Sequence, residues 1–107
     1  MNVLFLVLLA ALGTGPAASP AGATATVHIK NFAYIPATLT VPAGTTVRFV
    51  NDDTEAHTVT ATDRTFDSSG LDTGNAWTHR FVAVGKFPYF CELHPYMHGT
   101  VVVTASP

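Results

Sequence analysis

Thr38-Leu39-Thr40-Val41-Pro42-Ala43-Gly44-Thr45-Thr46-Val47-Arg48-Phe49-Val50-Asn51 carries two alternating runs broken by one turn signal. Leu39 and Val41 share one face of the first run, and Val47 and Phe49 share one face of the second, with Thr46 and Arg48 opposite. Period-two alternation puts apolar side chains on a single face of a strand. Pro42-Ala43-Gly44 ends the first strand and starts the next.

The same pattern recurs outward in both directions. Upstream, Val27 and Ile29 alternate within Thr26–Lys30, and Phe32–Pro36 is a short apolar link closed by proline. Downstream, Asp52–Glu55 is a polar turn, and His57–Ala61 is another short β-prone run. Residues 62–75 are rich in Asp, Ser, Thr and Gly, with Phe66 and Leu71 their only large apolar members, and read as a long loop between sheets. Trp77–Phe81 alternates, Val84-Gly85-Lys86 turns the chain into Phe87–Cys91, and Gly99–Ala105 is a Val-rich strand. No ten-residue window sustains a helical period, so helix is expected to be minor or absent. About seven short strands with frequent turns predict an all-β sandwich in one domain.

Composition narrows the function classes. In 107 residues, seven Asp+Glu against five Lys+Arg leave a formal charge of −2, which offers no footprint for nucleic acid. Residues 1–23 read as an export signal: Val3–Leu12 is an unbroken apolar run of ten, short of the ~20 residues that span a bilayer. Ala21-Gly22-Ala23 offers a small-x-small cleavage site. No Lys or Arg precedes the apolar run, so the alternatives are a true start lying upstream or an inefficiently cleaved anchor. Residues 24–107 are then the mature domain, with no membrane span, periplasmic or extracellular in location and expected to be a monomer.

The chemistry concentrates in Phe90-Cys91-Glu92-Leu93-His94-Pro95-Tyr96-Met97-His98-Gly99. The chain's one cysteine stands three residues before His94 and six before Met97. A lone thiol cannot form an internal disulfide. Thiolate, imidazole and thioether on one loop suit a soft, redox-active metal, and His57 is the upstream candidate for a second imidazole. An inert buried cysteine, a structural zinc site and a Cys-His nucleophile compete. Structural zinc usually takes four strong ligands with paired cysteines, and no orienting Asn or Asp can be placed for a nucleophile. Two imidazoles and a thiolate with a weak axial thioether form the pattern of blue-copper sites.

At these residues the chain resembles the cupredoxins, most of all the amicyanin-like group with a short Cys-x-x-His-Pro-x-Met loop. The resemblance covers most of residues 26–104. It is carried by Val27–Phe32 through Val41, by Gly44–Asn51 leading to His57-Thr58-Val59, and by Gly85–Cys91 through Met97 into Val103. It implies a Greek-key sandwich of seven to eight strands with copper at one end. The ligands it implies are His57, Cys91 and His94, with Met97 axial. It also implies that Asn51 ties the two ligand-bearing segments together, and that the exposed edge of His94, beside Pro95 and Tyr96, is the electron port.

The expected role is a one-electron carrier between transient redox partner proteins, with no catalysis. Copper trafficking or sequestration is the alternative. Asp52, Asp53, Glu55, Asp63, Asp67 and Asp72 read as solvated loop acids, with weak steering toward a basic partner as the alternative. His28 is expected at the surface, and His79 as a partly buried, hydrogen-bonded imidazole. His98 competes with Met97 for the axial position, although neighbouring residues at a strand start point opposite ways.

Overall fold

Val47 and Phe49, fully buried on one face of Thr45–Asn51, sit at the centre of a two-sheet sandwich. The computed structural model describes residues 22–106. The expected export signal lies almost wholly outside them. Eight strands follow in chain order: β1 Thr24–Lys30, β2 Ala33–Ile35, β3 Thr38–Pro42, β4 Thr45–Asn51, β5 Thr60–Ala61, β6 Ala76–Phe81, β7 Gly85–Phe90 and β8 His98–Thr104. No helix occurs among the described residues.

One sheet runs β2-β1-β4-β6 and the other β3-β8-β7-β5. Each has one parallel pair, β1 with β4 and β3 with β8, and the remaining pairs are antiparallel. The apolar alternation read from the sequence supplies both inner faces. Val27 and Ile29 of β1, Val47 and Phe49 of β4, Phe81 of β6, Tyr89 of β7, and Val101 and Val103 of β8 all join one core. Burying a side chain of this size contributes about 1.5–3 kcal/mol against leaving it in water.

Three departures from the sequence reading matter for the site. The link at Phe32–Pro36 contains a true strand, β2, whose Tyr34 is buried against Tyr89 with ring centroids 4.7 Å apart. The run after His57 yields only the two-residue β5; the N–H and hydroxyl of Thr58 go instead to the segment that begins at Cys91. The loop over residues 62–75 is anchored rather than loose: Phe66 and Leu71 are buried, and bridges join Thr60 to Asp67 and His57 to Leu71.

Register delivers the chemistry to one end. β7 and β8 pair from Gly85↔Val103 to Phe90↔His98, so Cys91–Met97 is the connection between them. β5 lies beside β7, with Thr60 opposite Phe90. The segment leading out of β4 through His57 therefore ends next to Cys91. Gly99 lets β8 pass Tyr89: a Cβ there would stand 2.3 Å from that ring's Cζ and hydroxyl oxygen.

Candidate metal centre

The Cys91–Met97 loop closes on itself through its backbone. The Cys91 N–H donates to the Met97 carbonyl (3.2 Å), His94 N–H to the Cys91 carbonyl (3.2 Å), and Met97 N–H to the His94 carbonyl (2.9 Å). These turns put side chains three residues apart on the same side. His57 is held separately by a two-way bridge to Leu71, with N–H to carbonyl distances of 3.1 and 2.7 Å.

Both imidazoles present Nδ1 to the cysteine. His57 Nδ1 and His94 Nδ1 each lie 3.7 Å from Cys91 Sγ, and the three donor atoms fall within 4.8 Å of one another. Metal bonds of about 2.3 Å to sulfur and about 2.0 Å to nitrogen, opened by ~120°, separate those two atoms by ~3.7 Å. The two sulfur–nitrogen separations thus suit one ion shared by the thiolate and both imidazoles. His57 and Cys91 are fully buried and His94 is half-buried, which leaves one ligand-bearing edge at the surface. Met97 is buried in the same core cluster as Cys91, whereas His98 is exposed. The alternation at the start of β8 takes His98 away from the donors.

Around the donors, Thr58 joins the two ligand-bearing segments. Its N–H donates to Cys91 Sγ (3.3 Å), its Oγ1 accepts the Glu92 N–H (2.8 Å), and its carbonyl accepts the Tyr34 hydroxyl. Burial raises the Tyr34 hydroxyl far above the ordinary tyrosine range, and the nearby charge of Cys91 raises it further. Asn51 is fully buried, but its partners differ from the expectation. Its Nδ2 donates to the carbonyls of Glu55 (2.9 Å) and Leu71 (2.8 Å), and its Oδ1 accepts the Asp53 N–H (2.9 Å). Asn51 therefore organises the His57 loop against Leu71, while Thr58 makes the tie to Cys91.

Asp53 is the other correction. It is 4% exposed, not a solvated loop acid. Its Oδ2 takes the Phe32 N–H and contacts His57 Nε2, both at 2.9 Å, and its Oδ1 takes the Thr54 N–H. The Phe32 amide above all, then His57, holds this carboxyl down to about 2. A signal was available in the sequence, an acid four residues before His57, but its direction in a polar turn was not. Asp52, by contrast, is exposed and pairs with the surface His28. His79 is partly buried as expected, stacked on Trp77 (5.5 Å between centroids, planes 16° apart), yet its ring has no hydrogen-bond partner among the described residues.

The rim of the centre is apolar. Leu93 and Tyr96 are exposed at 54% and 68%, and Phe32 at 39%. The Phe32 ring stands nearly perpendicular to both His57 (5.4 Å) and His94 (5.0 Å).

Known proteins agree with this architecture. A family model described as a cupredoxin-like domain matches residues 2–103. Amicyanin of Paracoccus versutus is 30% identical over 82 residues, and the aligned part is 72% of this chain but only 62% of that protein's length. Among solved structures, a purple cupredoxin from Nitrosopumilus maritimus is 33% identical with a TM-score of 0.72, covering 75% of this chain and 99% of its own. A Cu(I) form of an amicyanin variant superposes with a TM-score of 0.72 at 26% identity, over 76% of this chain and 82% of its own. With its two mixed sheets and its His, Cys and His donors gathered at one end, the chain belongs to the cupredoxin-like family.

Proposed function

We propose that this protein holds one type 1 copper ion and carries single electrons between redox partner proteins. The observation that carries the reading is the convergence of His57 Nδ1 and His94 Nδ1 on Cys91 Sγ at equal 3.7 Å distances. His57, Cys91 and His94 would hold the ion, and Met97, buried in the same core cluster as Cys91, would supply a weak fourth donor. Copper supplies the Cu(I)/Cu(II) couple; the chain supplies a donor arrangement that changes little between the two states.

Each residue has a part in that arrangement. The Thr58 N–H, aimed at Cys91 Sγ, draws charge from the sulfur and favours the reduced state. The backbone closure of Cys91–Met97 restrains reorganisation when the charge changes. His94, half-buried within the Phe32, Leu93 and Tyr96 rim, offers a short path for the electron to a docked partner. Contacts of this kind are small and transient. As a member of the cupredoxin-like family, the chain is read as a carrier, acting as a monomer. The apolar run at Val3–Leu12 and the Ala21-Gly22-Ala23 site support export to the periplasm or beyond. Among the described residues no helix is long and apolar enough to cross a membrane.

Copper loading followed by visible absorption, EPR and voltammetry tests the reading. The expected result is an intense thiolate-to-copper band with a reversible one-electron wave. A colourless protein that surrenders Cu(I) to chelators would establish trafficking or sequestration in its place.

A further inference from the structure

Asp53 has all four of its polar atoms engaged. Beyond the three carboxylate contacts, its N–H donates to Asn51 Oδ1 (2.9 Å) and its carbonyl accepts the Thr73 hydroxyl (2.7 Å). A carboxylate only accepts hydrogen bonds, so the proton between Asp53 Oδ2 and His57 Nε2 sits on the imidazole. That leaves the lone pair of His57 on Nδ1, the nitrogen facing Cys91.

The same oxygen holds a second feature. Lys30 pairs with Ala33, so Asn31 and Phe32 form a two-residue hairpin turn, with φ of 51° and 58°. Asn is at home in the left-handed region, but a bulky aromatic there costs about 1–2 kcal/mol. Glycine would relieve that cost and is the usual choice in such turns. Phe32 occupies the position with its N–H bound to Asp53 and its ring against both imidazoles. Backbone strain of this kind is tolerated where a neighbouring group fixes it.

We propose that Asp53 is a positioning residue that fixes His57 as its Nε2–H tautomer, opens Nδ1 toward the metal, and holds Phe32 over the two imidazoles. The inference rests on the reading of His57 as a metal ligand. Its consequence is electronic as well as geometric. A carboxylate behind a ligating imidazole strengthens the nitrogen as a donor, which favours Cu(II) and lowers the reduction potential. One buried side chain thereby sets the buried ligand's protonation pattern and the packing of the exposed one.

Two measurements test it. In metal-free wild type near neutral pH, the 15N shifts of the His57 ring should show the Nε2–H tautomer; an Nδ1–H tautomer overturns the proposal. In the copper-loaded protein, Asp53→Asn should raise the potential and weaken metal binding about 10–100-fold. The potential should stay unmoved in Asp52→Asn, whose carboxylate pairs with His28 at the surface. A potential equal to wild type in Asp53→Asn overturns the proposal, since a residue acting only as a loop brace would shift stability and leave the potential alone. If the Asn variant does not fold, the wild-type tautomer still decides. Failure of wild type to take up copper overturns the metal reading itself. It is told apart from failure of the inference because the tautomer is read without metal.

Discussion

His94 and His79 are both half-buried imidazoles ringed by aromatic side chains, at different places on one sandwich. His94 lies against Phe32, His57 and Tyr96. His79 lies against Phe66, Trp77 and Phe81, beside an apolar cavity of about 190 Å³ lined also by Phe87 and Val82. Burial and aromatic company are thus shared, and they do not make a metal centre. The difference is convergence. Around His94 a thiol and a second imidazole point at the same spot, and His57 and Cys91 are braced by groups outside the set. Around His79 no second donor approaches and the ring has no polar partner among the described residues. One aromatic-lined histidine is a ligand candidate and the other is an edge of the core.

The largest effect expected from this contrast is at Cys91. Replacing its sulfur in Cys91→Ser removes the one donor that both imidazoles share, so the visible absorption of the copper-loaded protein should vanish. Retention of the full band would break the contrast, because with the chain's one cysteine gone the band could not come from a thiolate. His79→Phe should leave that band unchanged.

Next in size is Gly99→Ala, which attacks the packing under the centre without touching a donor. The added methyl would stand 2.3 Å from Tyr89, a fully buried ring. Overpacking of this kind costs about 1–3 kcal/mol. Chemical denaturation of the copper-loaded protein should show that loss, and unchanged stability would mean that Tyr89 has room the structure does not display.

Much of the fold was legible because alternation is a property of neighbours in sequence. The run in 38–51 gave two strands and that in 77–81 one, each turning inward the residues the pattern named, and the Val-rich run in 99–105 gave another. The donors were legible for a similar reason, since Cys91, His94 and Met97 lie on one short loop. Their supports were not. Asp53 stands in a polar turn indistinguishable by composition from the exposed Asp52, and only the fold of that turn onto Phe32 buries it. Thr58 reads as one threonine among many, yet its three polar atoms join β2, His57's segment and the Cys91 loop. Asn51 was legible as a brace, but not its partners, which come from backbone carbonyls in loops of irregular geometry.

Tyr34 and Tyr89 sharpen the comparison within the core, because they pack edge to face and differ in one bond. The Tyr34 hydroxyl donates to the Thr58 carbonyl, whereas the Tyr89 hydroxyl is buried with no partner among the described residues. Burial raises both hydroxyls well above the ordinary tyrosine value, so both stay protonated. Tyr34→Phe strands a buried carbonyl and should cost about 1–3 kcal/mol, with a shift in the visible band as Thr58 relaxes against Cys91. Tyr89→Phe removes an unpaired hydroxyl and should be neutral or stabilising by about 1 kcal/mol. Thermal unfolding of the two variants side by side checks the contrast, and equal losses would contradict it.

The smallest effect is expected at His79. Burial among aromatic rings pulls its imidazole below the ordinary 6.5, so the folded protein resists protonating it while the unfolded chain does not. As pH falls below 6.5, the unfolded state binds the extra proton first, and folding stability drops. Above that pH the ring is neutral in both states and contributes no slope. His79→Phe keeps an aromatic in the same place and removes the titration. Between pH 7.5 and 5.5 wild type should therefore lose more stability than the variant, a difference of under about 1 kcal/mol for a half-exposed group screened by solvent. Denaturation midpoints measured in parallel across that range give the difference directly, and matching slopes would show that the aromatic edge, like the metal end, holds its imidazole by something other than apolar burial.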